Sequence, residues 1–270
     1  MKVVIGIGIG IIVLVVVGWI GLQIDPRPFA PYPGQTPALD TVPLPDGLPE
    51  PVERFYWALY GDQVPVIESA ILTGRATMRV GGIPFPARFR FTHVAGQAYR
   101  HYIEATWFGL PILKVNERYL DGKGRMELPF GTIEGEPKID ESANLGLWVE
   151  SIWLPSIWVT DPRVRWEPVD EHTALLRVPF GDTQGTFVTR FDPQTGLLDT
   201  MEAMRYREAG DERRTLWINQ NLEWGDLGGI LTARVGASTW FDQGRPWAVF
   251  RVEEVIYNVD VDAYIRARGL

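Results

Sequence analysis

From residue 70 to residue 107 the side chains alternate between apolar and polar with a period of two. That pattern constrains the fold of this chain more than any other feature. Ala70, Leu72, Ala76, Met78 and Val80 alternate with Ile71, Thr73, Arg75, Thr77 and Arg79. Phe85, Ala87, Phe89 and Phe91 alternate with Arg88, Arg90 and Thr92. Tyr99, His101, Ile103, Ala105 and Trp107 share a face opposite Arg100, Tyr102, Glu104 and Thr106. Successive strand residues point to opposite faces, so these are half-buried strands. The habit returns at Leu176, Val178 and Phe180, at Phe187 and Phe191, and at Leu231, Ala233, Val235 and Ala237. Turn chemistry separates the runs at Gly81-Gly82, Asp121-Gly122, Asp192-Pro193, Gly228-Gly229 and Asp242-Gln243-Gly244. The expectation is a mainly β fold, a large curved antiparallel half-barrel of about nine to eleven strands.

Three segments read as helices. Val52, Phe55, Tyr56 and Leu59 recur at helical spacing within Pro51–Tyr60. Asp140–Leu154 is apolar nearly all round, with Leu145, Leu147, Trp148, Val149, Ile152 and Leu154. Such a helix is buried, and a half-barrel offers its concave side for it, as a core helix or a lid. A short amphipathic helix is expected over Val261–Arg268.

Ahead of the strands, Val3–Ile24 holds no charged residue. A helix of about 20 apolar residues spans the hydrocarbon core of a bilayer, so residues 1–24 read as a single transmembrane anchor. A cleaved signal peptide competes, but its apolar core is shorter and Trp19, Ile20, Leu22 and Gln23 interrupt a small-x-small site. A buried soluble helix fits poorly with so many glycines and β-branched residues. Lys2 precedes the run and Asp25 follows it, which favours a cytoplasmic N-terminus and an extracytoplasmic main domain. Residues 25–51 carry nine prolines from Pro26 to Pro51 and read as an extended linker. Residues 52–270 form the extracytoplasmic domain.

Composition removes several functions. The net charge is -8, which disfavours nucleic acid as a partner. There is no cysteine, hence no disulfide, no thiolate nucleophile and no lipidated cysteine. No pair among His93, His101 and His172 has metal-ligand spacing along the chain, so no metal and no cofactor is expected. Asp121-Gly122-Lys123-Gly124 is a hairpin turn, not a phosphate loop, because a strand pattern follows it. Ser151 and Ser156 lack the strand-elbow-helix setting of a hydrolase nucleophile.

The order of several short motifs carries a resemblance. Gly109-Leu110-Pro111 leads to Tyr119-Leu120-Asp121-Gly122-Lys123-Gly124-Arg125. Then come Glu150-Ser151-Ile152-Trp153-Leu154-Pro155 and Val164-Arg165-Trp166-Glu167. Over most of residues 50–260 the chain resembles a group of uncharacterised bacterial membrane-anchored proteins. Their domain is similar to the half-barrel of Lol-type lipoprotein carriers. Leu222–Thr232 departs from that pattern, where a hairpin with Tyr and Pro is expected. The resemblance implies a fold and an extracytoplasmic setting, and lipid handling only by analogy of fold.

Glu150 is the acid of most interest, because a carboxylate in an apolar helix must pair or take up a proton. An ion pair with Arg100 or Arg165 is the structural reading, and a headgroup contact or general acid is the functional one. His101 lies on an apolar strand face. Trp107, Trp148 and Trp153 are candidates to line an apolar concavity with Glu150 and His101. No catalytic residue is assigned. Three functions remain. The first is a tethered carrier or sensor of a lipid or other apolar ligand. The second is a structural or assembly protein of the cell envelope, with a self-filled barrel and an envelope protein as partner. The third is a hydrolase or isomerase using Glu150, Glu104 or His101. A ligand cavity separates the first from the second, and the third needs titratable groups that converge in it.

Overall fold

The computed structural model describes residues 2–268, with side chains from residue 7 onward. The last two residues of the domain delimited above therefore lie outside the described residues. In chain order the helices are α1 (Lys2–Gly21), α2 (Glu50–Tyr60), α3 (Pro137–Glu150), α4 (Ile157–Thr160) and α5 (Asp262–Arg266). The strands of the N-terminal half are β1 (Thr41–Pro43), β2 (Gln63–Pro65), β3 (Ser69–Val80), β4 (Ile83–Val94), β5 (Ala98–Trp107), β6 (Leu110–Leu120), β7 (Lys123–Leu128) and β8 (Gly131–Glu134). Those of the C-terminal half are β9 (Arg165–Asp170), β10 (Thr173–Phe180), β11 (Thr183–Phe191), β12 (Leu198–Arg205), β13 (Thr215–Leu227), β14 (Ile230–Trp240) and β15 (Pro246–Tyr257).

Thirteen strands form one antiparallel sheet in the order β8-β7-β6-β5-β4-β3-β15-β14-β13-β12-β11-β10-β9. It is two meanders joined at a seam, where β15 pairs with β3 from Tyr257↔Ala70 to Ala248↔Met78. The strand count exceeds the expected nine to eleven. The short edge strands β8 and β9 carry almost no apolar face to signal them, being exposed or nearly so along their length.

The sheet must curve. In a flat sheet β6 and β10 would lie nine strand spacings, about 43 Å, apart. Yet α3 touches β6 and β7 in one half and β10 and β12 in the other. A helix about 10 Å wide can do this only if the sheet wraps around it. Topology imposes the crossing: β8 and β9 are opposite edges of the sheet, and residues 135–164 must connect them. The helix is the one expected over 140–154, except that its last turn, Ser151–Trp153, tightens to a 3-10 turn.

Polar groups on α3 fix its pose. Asp140 accepts from Gly124 N at 2.8 Å and from Lys123 Nζ at 2.8 Å, which ties the first turn to the β6–β7 hairpin. Asn144 accepts from Tyr119 Oη at 3.0 Å and donates to Pro179 O at 3.1 Å, bridging the two halves. Ser142 donates to Tyr206 O at 2.8 Å. Glycines let the backbones approach. A Cβ on Gly124 would sit 3.0 Å from Ala143 Cβ, and one on Gly185 would sit 2.9 Å from Leu145 Cδ2.

The N-terminal segment is docked rather than free. Arg88 donates to Arg27 O and Arg90 to Ala30 O, both guanidinium groups lying against the Phe29 ring. β1 pairs with β2. Together with α5, whose last carbonyls accept from Arg100 and Arg118, this segment covers the convex side of β4–β6. Among the described residues no helix is long and apolar enough to cross a membrane. The backbone of α1 runs for 20 residues, but its first side chains lie outside the description.

Adding a methyl at Gly124 should push α3 off the β6–β7 hairpin. Gly124→Ala is expected to lower stability by about 1–3 kcal/mol, the usual cost of overpacking. The urea midpoint should fall with an unchanged slope.

Candidate functional site

Strand register assembles the site. Phe91, His101, Glu117 and Met126 stand side by side across β4–β7 on the concave face. His93 pairs with Tyr99, and Tyr99 with Tyr119, one row further along. The end of α3 brings Glu150 over this patch. His101 Nε2 lies 2.7 Å from Glu150 Oε2, and His93 Nε2 lies 3.7 Å from the same oxygen. On its other side His101 Nδ1 faces Glu117 Oε2 at 3.9 Å, and Tyr99 Oη donates to Glu117 Oε1 at 2.5 Å. The His101 ring is held between Tyr99, stacked at 4.0 Å, and Phe91 at 4.1 Å.

Beside this cluster opens a cavity of about 290 Å³. Its apolar wall includes Phe91, Trp153, Trp217, Trp240, Trp247 and Phe250. Three of the indole N–H groups are spent inside the protein: Trp153 on Ala233 O, and Trp217 and Trp247 both on Ser238 Oγ. The rings therefore add aromatic surface to the cavity without leaving those donors unmet. Arg205 stacks on Trp217 at 4.1 Å and brings positive charge to the polar end. A second hollow of about 640 Å³ lies beside α3, lined by residues such as Leu145, Phe180, Val188 and Met204. The smaller one is the candidate site, because the buried titratable groups converge there.

Burial and pairing compete at each group. Burial lowers the pKa of His101, but Glu150 and Glu117 outweigh it and push the imidazole up to about 9. Burial raises Glu117, and His101 and Tyr99 overcome it and bring the carboxyl down to about 2. Burial raises Glu150, only partly opposed by His101. His93, fully enclosed, is held well below the usual imidazole value by burial and then by His101. The site thus holds a charged imidazole, an ionised carboxylate and a neutral imidazole within one apolar enclosure.

Of the residues singled out from sequence, Glu150, His101 and Trp153 line the cavity. Trp107 and Trp148 do not. Trp107 is 41% exposed at the β5–β6 hairpin and donates to Gly18 O of α1 at 3.0 Å. Trp148 is buried, and its carbonyl accepts from Trp158 Nε1. Glu104 is on the opposite face of β5, paired with Arg88 at 2.6 Å, so it cannot act with His101. The expected partners of Glu150 are also wrong. Arg100 lies on the convex side, bonded to Asn116 and to α5, and Arg165 is exposed. The partner is His101. His93 is fully buried near the end of β4, just before the turn at 95–97. Glu117 and Arg205 were not anticipated. Glu117 sits between Val115 and Tyr119 in a period-two run, and Arg205 follows Met201 and Ala203 in the same way. A charge at an inward position was the available signal.

Residues 39–252 match the family of unknown function DUF6544, and the chain belongs to that family. No curated protein matches it. Among solved structures the chain is similar to a LolA superfamily protein from Nitrosomonas europaea, with 8% identity and a TM-score of 0.48, over 80% of this chain and 96% of that one. It is also similar to a DUF1329 family protein from Desulfovibrio piger, with 14% identity and a TM-score of 0.44, over 74% of this chain and 90% of that one.

The raised pKa of His101 has a consequence for stability. Its contribution is complete below the ordinary imidazole value and is lost as pH rises through about 9. In buffer free of transition metals, the melting midpoint should fall between pH 7 and pH 10. Glu117→Gln should move the His101 titration, followed by NMR of the ring, back toward neutrality and flatten that fall.

Proposed function

We propose that this member of a family without known function is a membrane-tethered, extracytoplasmic domain that shelters a lipid acyl chain, or a similar apolar ligand, in its concavity. The observation that carries the reading is the aromatic-walled cavity under the end of α3. Its volume, about 290 Å³, is close to the lower end of small-molecule sites. An interior filled by the domain's own side chains, as a purely structural protein would have, leaves no such space. An apolar chain lies against the indole rings in this reading, and a polar end group reaches Arg205, His101 and Glu150.

The tether rests on α1 and its surroundings. Its 20 residues give a rise of about 30 Å, the thickness of a hydrocarbon core. Trp107 Nε1 donates to Gly18 O and Phe108 N to Gly21 O, so the β5–β6 hairpin is fastened to the end of α1. That hairpin exposes Trp107, Phe108, Leu110 and Ile112. Aromatic and aliphatic side chains at the end of a span suit the membrane–water interface. Lys2 at the start of the helix and Asp25 after its end favour an extracytoplasmic domain.

A second reading, an enzyme of proton transfer, has one observation in its favour: His101, Glu150 and Glu117 converge at the cavity. A candidate acid and base within reach of a bound solute meet the first condition for such chemistry.

Native mass spectrometry of the full chain extracted from its host should find co-purified lipid. Ala237→Phe, which fills the cavity from β14, should reduce lipid per folded chain at least tenfold while the far-ultraviolet circular dichroism stays the same. An empty wild-type protein, or a variant that keeps its lipid, would remove the carrier reading. For the tether, a reporter after Arg268 should be active outside the cytoplasm, and a chain starting at Pro26 should leave the membrane fraction.

A further inference from the structure

The cluster at the polar end of the cavity has a feature that neither an ion pair nor a lipid site requires. His93 is fully buried, and neither of its ring nitrogens has a hydrogen-bond partner. His101 Nε2 and Glu150 Oε2 are also unpartnered, although only 2.7 Å apart, because the contact is not aligned along the ring N–H. Three ligand atoms, one from each residue, lie within 4.8 Å of one another. Two imidazoles and a carboxylate therefore converge in an apolar enclosure without satisfying each other. A buried polar atom left alone is costly, and three around one point share one remedy.

We propose that His93, His101 and Glu150 form a binding site for a divalent transition-metal ion. Around a metal with bonds of about 2.0–2.2 Å, neighbouring ligand atoms sit about 3.0–3.5 Å apart. The two distances to Glu150 Oε2, 2.7 and 3.7 Å, bracket that range, and the third side, between the two imidazoles, is no longer than 4.8 Å, so side-chain adjustment that draws the rings together closes the triangle. The donor set is two nitrogens and one oxygen, which suits zinc, iron, cobalt, nickel or manganese rather than calcium or magnesium. Glu117 stands behind His101 Nδ1 and is itself held by Tyr99, the arrangement by which an outer carboxylate orients a metal-bound imidazole. Tyr99 and Phe91 clamp the same ring. Glu150 and Glu117 supply the negative charge that a dication needs, while Arg205 is held against the Trp217 ring. Because His101 and Glu150 also line the cavity, the remaining coordination positions face it. They are open to water or to the anionic oxygen of a bound molecule. This site is independent of the acyl-chain reading and stands or falls separately from it.

Cobalt(II) is the probe. The untagged full chain in detergent, stripped with chelator, is titrated with Co2+. The expected result is one Co2+ per chain, visible d–d absorption, and displacement by Zn2+. Glu150→Gln, His101→Gln and His93→Gln should each weaken binding at least tenfold, with circular dichroism confirming the fold. Glu117→Gln lies outside the ligand set and should weaken it about 10–100-fold, which serves if a ligand variant fails to fold. Absence of stoichiometric Co2+ binding by the wild-type chain would overturn the proposal. So would undiminished binding by folded Glu150→Gln and His93→Gln. Lipid content of the stripped protein should be unchanged, which keeps the two readings separable.

Discussion

The crossing of α3 from one edge of the sheet to the other governs the interior of this domain. Two meanders that share only the β3–β15 seam would leave a broad apolar face open to water. The helix closes that face because the chain has no other way from β8 to β9. It is pinned by polar contacts at its start and middle, at Asp140, Ser142 and Asn144, rather than by apolar packing alone. Directional bonds set the rotation of a helix that is apolar nearly all round, which hydrophobic burial cannot do. That rotation delivers Glu150 to His101 and leaves space beside Trp153.

The same enclosure sets the chemistry. Removing a charge from water costs several kcal/mol unless partners replace the solvent. At the site the replacement is uneven. His101 has two carboxylates, Glu117 has a tyrosine and an imidazole, and both stay charged. His93 has no partner and stays neutral. A domain selected only for stability would fill such a corner with apolar side chains, which often costs nothing or adds stability. Here two histidines and two acids stand instead inside an aromatic shell, beside a cavity.

The inward faces of β3, β4 and β5 were readable from period two, because one face of each strand meets the core. The outer face of β5 misled: Arg100, Glu104 and Thr106 are buried as well, under the N-terminal segment and α5. Trp107 continues the inward series yet lies outside the core, because the strand runs past the edge of the enclosure into a hairpin. Trp148 and Trp153, five residues apart, looked alike in sequence. The helix turns one into packing and the other onto the cavity, and only the pose of α3 separates them. His93 and His101 have no meaningful spacing along the chain. They become neighbours because β4 and β5 pair with Phe91 opposite His101.

The period-two strands, the turns between them, the buried helix and the apolar N-terminal run were legible in the amino-acid order. These depend on local alternation and composition, which any stretch of chain carries within it. That thirteen strands join in one sheet, and that Glu150 faces His101 rather than an arginine, came only with the folded arrangement. Those outcomes depend on register between distant strands and on the rotation of one helix across both halves. Such relations are properties of pairs of segments, and a single segment does not contain them.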